Sequence, residues 1–281
     1  MAGSLEPRVP KPGRTPTARP RRPRLAQDET RRRVLETAIA DAMAGGLTVG
    51  LDHLSFEDAI RDADVSRTAA YRCWPHKDAF LADLAVALAE QAIPATPTRA
   101  AHGTAMIRAI VTEHADELAT PEGRAAVLDR VVRQTAADDF DLDRAEVTRW
   151  QTYLAVVMSL QTMPAGPLRD RVAEAVSNAD DRLLARLERS YQRIAEFFGF
   201  RAVTDYGTLA GIGVAVMRGL VIGDLARPAT PGQDLSATAF AALIGANIEP
   251  SDTAHWDQET IDAKLAELAV DNIFIDTDAP S

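Results

Sequence analysis

Residues 65–80 read VSRTAAYRCWPHKDAF, and this stretch decides the fold. Ser66 is a good N-cap for the helix that follows. At 100° per residue, Arg67 and Tyr71 lie on one face at i, i+4, with Thr68 and Arg72 beside them. Ala70, Cys73 and Trp74 fall on the other side. One face is therefore small and apolar, anchored by an indole. The opposite face shows two guanidiniums, a hydroxyl and a phenol. Pro75 ends the helix. Lys77 sits in the first turn of the next one, whose Phe80, Leu81, Leu84 and Leu88 make an apolar stripe reaching about residue 93.

Upstream, Ser55 with Asp58 three residues on starts a short helix of about residues 56–63, with Phe56, Ala59 and Ile60 as its apolar side. The tight turn DADVS joins it to the helix at Arg67. Before both, a helix capped by Asp28 or Thr30 aligns Val34, Leu35, Ala38, Ile39, Ala42 and Met43, and Gly45-Gly46 stops it. Two short helices joined by a tight turn, the second showing Arg and Thr outward, form a helix-turn-helix. Its second helix fits a DNA major groove, where Arg reads O6 and N7 of guanine. Tyr71 at that helix end and Lys77 at the next helix start are placed for backbone phosphates. The amides at that start also favour an anion.

Residues 29–93 resemble the DNA-binding domain of the tetracycline-repressor (TetR) family of bacterial regulators. The likeness rests on the turn Val65-Ser66-Arg67, on Tyr71-Arg72, and on Trp74-Pro75-His76-Lys77-Asp78-Ala79-Phe80. It implies that Arg67, Thr68 and Arg72 meet bases or adjacent backbone, and that Tyr71 and Lys77 meet phosphates. Ser66 matches a capping position that also reaches phosphate, and Trp74 locks the third helix to the fourth. His76, which follows Pro75 at a helix start, is suited to a phosphate contact or to plain solvation. Three features depart from the family pattern. Asp64 stands where the turn usually has glycine, Ala59-Ile60 reverses the usual pair, and the loop 47–54 is longer.

The chain has 281 residues and a formal charge of −10, but the charge is unevenly spread. Residues 1–33 carry ten Lys/Arg and three Asp/Glu; residues 34–91 carry four and ten. An acidic module needs help to approach DNA, because phosphate neutralisation supplies most non-specific affinity. Residues 1–27 are rich in Pro and Arg and are expected to be a disordered basic arm. Its Arg19, Arg21, Arg22 and Arg24 are suited to a minor groove. Arg31, Arg32 and Arg33 open the first helix near where DNA backbone would pass.

The scattered Val and Ile, the Ala/Leu/Arg-rich composition and the 5 % aromatic content predict an all-α protein. It divides into the helix-turn-helix domain (28–93), a larger C-terminal helical bundle for ligand binding and dimerisation (94–248) and an acidic tail (249–281). Bundle helices are expected at about 104–119, 122–136, 144–162, 168–198, 204–226 and 236–247, with the acidic DDFDLD at 138–143 as a breaker. The tail holds a further helical stretch around 257–270, able to pack through Ile261, Leu265 and Leu268. Within 204–226, Gly207, Gly211, Gly219 and Gly223 alternate with Ile212, Val216 and Leu220. This pattern suggests close approach of another helix, either inside the chain or across a two-fold interface that includes Phe240 and Leu243. The resemblance favours the interface, since the family's last two core helices usually pair across a dimer.

The family's middle helices commonly enclose an effector cavity, and Met106, Trp150, Tyr153 and Met158 are suited to line one. Glu113, His114 and Glu117 read as a solvated face rather than a metal site, and Cys73 as a small buried hydrophobe. The start has no apolar secretory core, and the most apolar run, 209–223, is short and carries Arg218. The expectation is a cytoplasmic, ligand-released repressor that binds double-stranded DNA as a homodimer and responds to an unknown small molecule. It is expected to have no cofactor, metal, membrane or enzymatic role. The alternative is a constitutive or architectural DNA-binding protein whose bundle only dimerises.

Overall fold

The computed structural model describes residues 26–44, 51, 54–92, 97–227 and 232–270. These form eleven α-helices, one 3₁₀ turn and a two-stranded ribbon. The first four helices are α1 (Gln27–Ala44), α2 (Phe56–Asp62), α3 (Arg67–Cys73) and α4 (Lys77–Ala92). Then come α5 (Pro97–Glu113), the 3₁₀ turn Ala115–Ala119, α6 (Pro121–Ala145), α7 (Val147–Thr162) and α8 (Pro167–Phe197). Strand β1 (Phe200–Ala202), α9 (Tyr206–Ala226), α10 (Gly232–Asn247), β2 (Ile248–Pro250) and α11 (Gln258–Val270) complete the order.

Local chemistry sets the ends of α2 and α3. The Ser55 hydroxyl accepts from the Asp58 amide and the Ser66 hydroxyl from the Ala69 amide. Between them Asp64 takes the left-handed conformation at φ 53°, which a short polar side chain tolerates better than most. Ala59 and Ile60, in their reversed order, are both buried. The rings of Phe56, Trp74 and Phe80 then lock α2, α3 and α4 together. Phe56 and Phe80 stack at 4.6 Å, and Trp74 meets each edge-on at 5.5–5.8 Å. Trp74 is only 1 % exposed. The apolar core of α1–α4 does not end at residue 93. It continues into α7 and α8 through Ala155, Val156 and Val172.

A second core joins Ile107 and Val111 of α5, Val127, Leu128 and Val131 of α6, Phe197 and Phe198 at the end of α8, and Trp256, Ile261 and Leu268. The segment after 249, expected as an acidic tail, is therefore part of the bundle as far as residue 270. Strand β2 pairs antiparallel with β1, Arg201 opposite Glu249, and Ile261 and Leu268 of α11 are buried. At its hinge Arg124, with no exposed surface, donates to the carbonyls of Phe198, Leu118, Ala254 and Asp252 at 2.7–3.3 Å. Its guanidinium lies 4.1 Å from the centroid of the Trp256 ring.

The acidic run 138–143 does not break a helix. Residues 121–145 are one helix, with Thr120 capping it and Pro121 in its first turn. Phe140 is fully buried, and its ring fills the space where a side chain at residue 232 would stand, so Gly232 is required there. Tertiary packing overrides the local charge at this point. One described helix, α9, is long and apolar enough to cross a membrane. It packs on α8, α10 and α6, and its Arg218 pairs with Asp180 of α8 at 2.5 Å.

Candidate functional site

The exposed side of α3 carries Ser66, Arg67, Thr68, Tyr71 and Arg72, and the start of α4 adds His76 and Lys77; all seven are exposed. Arg67 is the most open of those in ion pairs, at 76 %. Ser66 spends its hydroxyl on capping α3. His76 caps α4 in the same way, its Nδ1 accepting from the Ala79 amide at 3.3 Å. These local bonds fix the two helix starts, and the outward guanidiniums of Arg67 and Arg72 follow from the helix they sit on.

Two acidic residues that the sequence reading passed over organise this face. Glu57, in the first turn of α2, forms an ion pair with Arg67, Oε2 to Nη2 at 2.8 Å, and its Oε1 accepts from the Tyr71 hydroxyl at 2.8 Å. The hydrogen bond to Glu57 is the main reason the Tyr71 phenol titrates above its usual range. Asp83 of α4 is almost fully buried. Its Oδ2 accepts from the Trp74 indole N–H at 2.6 Å and pairs with Arg31, and its Oδ1 bonds Arg171 of α8 at 2.5 Å. Asp83 thus ties the end of α3 to α1 and to α8. A carboxylate three residues after Phe80, on an otherwise apolar stripe, is the sequence signal for such a buried hub.

The other arginines of α1 are spent locally. Arg32 bridges Glu29 and Glu36, and Arg33 pairs with Glu29. These exposed pairs, with the Arg31–Asp83 pair, place a carboxylate beside each of Arg31, Arg32 and Arg33. Arg19, Arg21, Arg22 and Arg24 lie outside the described residues.

No protein-family model matches this chain, and no curated protein is significantly similar to it.

The bundle encloses a partly open cavity of about 290 Å³ between α5, α6, α7, α8, α9 and α10. Met106 and Trp150 line it. Tyr153 and Met158 do not. Met158 is 46 % exposed, because it sits on the outer side of α7. Tyr153 instead donates to Asp180 at 3.2 Å under the Arg218 guanidinium, which lies 4.7 Å from its ring centroid. The walls are mostly apolar, from Leu128, Val131, Leu183, Leu187, Leu209, Met217 and Phe240, and His102, Asp138, Asp139, Arg186, Tyr191 and Arg218 are among the polar residues that join them. Burial pushes the Tyr191 phenol far above its usual range, and the Asp139 carboxylate adds to the shift.

The glycines of α9 divide into two sets. A Cβ on Gly213 would meet the Tyr191 hydroxyl at 2.7 Å and the Phe240 ring at 3.3 Å, so this glycine permits intrachain contact. Around Gly211, Gly219 and Gly223 nothing lies within 4 Å of a Cβ. They share the outer side of α9 with Ile212, Ala215 and Ile222, a face without a charged residue. Val216 and Leu220 are half-buried at its edges. On α10 the adjoining outer face is Leu235, Thr238, Ala242, Gly245 and Ala246. Leu243 is half-buried there, whereas Phe240 points inward to the cavity and Gly213, because it occupies the opposite side of α10. Gly207 sits against Asp205 and Glu188 at the start of α9.

Proposed function

We propose that the chain is a TetR-type transcriptional regulator that reads a palindromic DNA site as a homodimer and is released by an effector held in the bundle. The carrying observation is that Arg67, Thr68, Tyr71 and Arg72 project together from one rod while the Trp74 indole is buried behind them. α2, the Asp64 turn and α3 make a helix-turn-helix, and α3 is its recognition helix. One seven-residue helix offers few base contacts, and a two-fold pair doubles them.

The uncharged outer face of α9 and α10 supports the dimer. It leaves Ile212, Ile222 and Leu235 each more than 40 % exposed beside glycines with open space, a surface suited to a second copy of the same two helices. Ile222→Glu is expected to leave the protomer folded, since its side chain is 42 % exposed. Sedimentation should then show the variant at the mass of one 30.3 kDa chain where the parent runs at twice that. Equal masses for the two would remove this face from the assembly.

Release follows from α8. Leu183, Leu187 and Tyr191 of this helix line the cavity, and Arg171, about 24 Å away along it at 1.5 Å per residue, holds Asp83. An effector that prefers one position of α8 biases the Asp83–Trp74 contact at the end of α3 by its differential affinity. The cavity favours this reading over a constitutive DNA-binding protein, and dissociation of a bound duplex by an added ligand separates the two.

The DNA reading is tested by salt titration of duplex binding. Lys77→Ala is expected to lower the slope of log K against log salt by about 0.9 per protomer, whatever the sequence. Arg67→Ala is expected to cost about 1–3 kcal/mol for the preferred sequence and to relax the preference at one base position. Slopes that neither Lys77→Ala nor truncation of residues 1–24 alters would take phosphate contact away from both.

A further inference from the structure

The proposed reading face contains a carboxylate, which is unfavourable next to phosphates unless it has a task. Glu57 bridges from α2 to α3, one oxygen on Arg67 and the other on Tyr71, each at 2.8 Å. Arg67 and Tyr71 are successive turns of the same face, so a single carboxylate spans both. Phe56, the neighbour of Glu57, packs its ring 5.4 Å from that of Tyr71 and fixes the start of α2 against α3. Glu57 is therefore held by its own helix and cannot follow Arg67 freely.

We propose that Glu57 is a specificity-determining positioning residue, which aims the Arg67 guanidinium at a base and penalises binding to the wrong sequence. This rests on the DNA-reading function proposed above. A guanidinium has five donors; holding one amino group leaves the others in a fixed plane for the paired acceptors of guanine. Without the carboxylate, Arg67, which is 76 % exposed, can swing to the nearest phosphate. Such a contact is sequence-blind and strengthens all DNA binding alike. The charge of Glu57 acts in the same direction, because it repels the phosphates of any duplex and is offset only where Arg67 finds its base. Both effects raise the ratio of specific to non-specific affinity, and neither raises affinity as such.

The experiment uses the full chain, the duplex that it selects from a random pool and a scrambled duplex of the same composition. Glu57→Ala is expected to lower the ratio of the two affinities about tenfold, with scrambled-duplex affinity unchanged or higher. Glu57→Gln, which keeps an acceptor for Arg67, should retain part of the ratio. In an Arg67→Ala background, adding Glu57→Ala should change the ratio by less than about twofold, since the residue it aims is gone. An unchanged ratio in Glu57→Ala overturns the proposal, as does an equal loss with and without Arg67; DNA reading itself survives either result. A parent chain that selects no sequence overturns both. Circular dichroism of each variant confirms that the helices are retained.

Discussion

Arg124→Ala is expected to cost about 3–5 kcal/mol of stability, the largest effect of any single truncation in the bundle. The side chain is fully buried and spends its donors on four carbonyls from three separate segments, Leu118, Phe198 and the stretch Asp252–Ala254. Truncation removes the shared donor of those oxygens, those of Leu118 and Phe198 lying in the buried part of the site, and the stacking partner of Trp256. Desolvation already holds the Arg124 guanidinium below its usual range, so the site tolerates the charge only because the carbonyls surround it. Lysine cannot substitute, because one ammonium does not span acceptors spread around a planar fork. The damage should be local before it is global. The chain from Asp252 onward is fastened by Arg124, by Trp256 and by the apolar side of α11, so protease should cut between β2 and α11 at urea concentrations that leave the rest folded. A midpoint within about 1 kcal/mol of the parent, with this segment still protected, would show that the carbonyls are satisfied some other way.

Asp83→Ala is expected to lower stability by about 2–4 kcal/mol and, with it, to loosen α3 from the bundle. The indole N–H of Trp74 loses its acceptor inside the core. Arg31 and Arg171 are left facing each other, but both are about half exposed, so water screens much of their share and the indole dominates the loss. Asp83→Asn keeps an acceptor for the indole and should lose less than Asp83→Ala. In thermal melts the alanine variant is expected about 5–10 °C below the parent. Arg171→Ala should leave stability nearly intact while weakening any effector-driven release of DNA, since it severs only the link to α8. An Asp83→Ala protein as stable as its parent would mean that the Trp74 indole finds another acceptor and that the hub transmits nothing.

The parts of the fold that were legible in the sequence are those governed by near neighbours. Ser55 and Ser66 mark helix starts by accepting from amides three positions on, Pro75 marks a helix end because it has no N–H to donate, and the helical stripes of α1 and α4 repeat within one element. The left-handed Asp64 also follows from its own short side chain. What was not legible depends on distant partners. Residues 138–143 read as a charged break, but Phe140 meets Gly232 almost a hundred residues later. The β1–β2 ribbon is three residues long on each side and pairs Phe200 with Pro250, with no periodicity to announce it. Arg124 reads as a surface residue because arginine almost always is one.

The candidate site shows the same division. The outward set on α3 was visible from helical spacing, whereas its controllers, Glu57 and Asp83, belong to other helices. Of the four residues expected around a cavity, Met106 and Trp150 line it, while Tyr153 is claimed by Asp180 and Arg218. The glycine pattern of α9 left out Gly213, whose task is different. Gly213 serves Tyr191 and Phe240 inside the protomer, while Gly211, Gly219 and Gly223 face open space.

Whether the protein reads DNA sequence is decided by selection of random duplex DNA by the purified full chain, followed by sequencing of the bound fraction. The expected product is an inverted repeat whose half-sites lie about one helical turn apart, or a multiple of it, on one side of the duplex. Its recovery should disappear in Arg67→Ala combined with Arg72→Ala. A pool that returns unenriched, or an enriched sequence that the double variant binds as well as the parent does, would contradict sequence reading by α3.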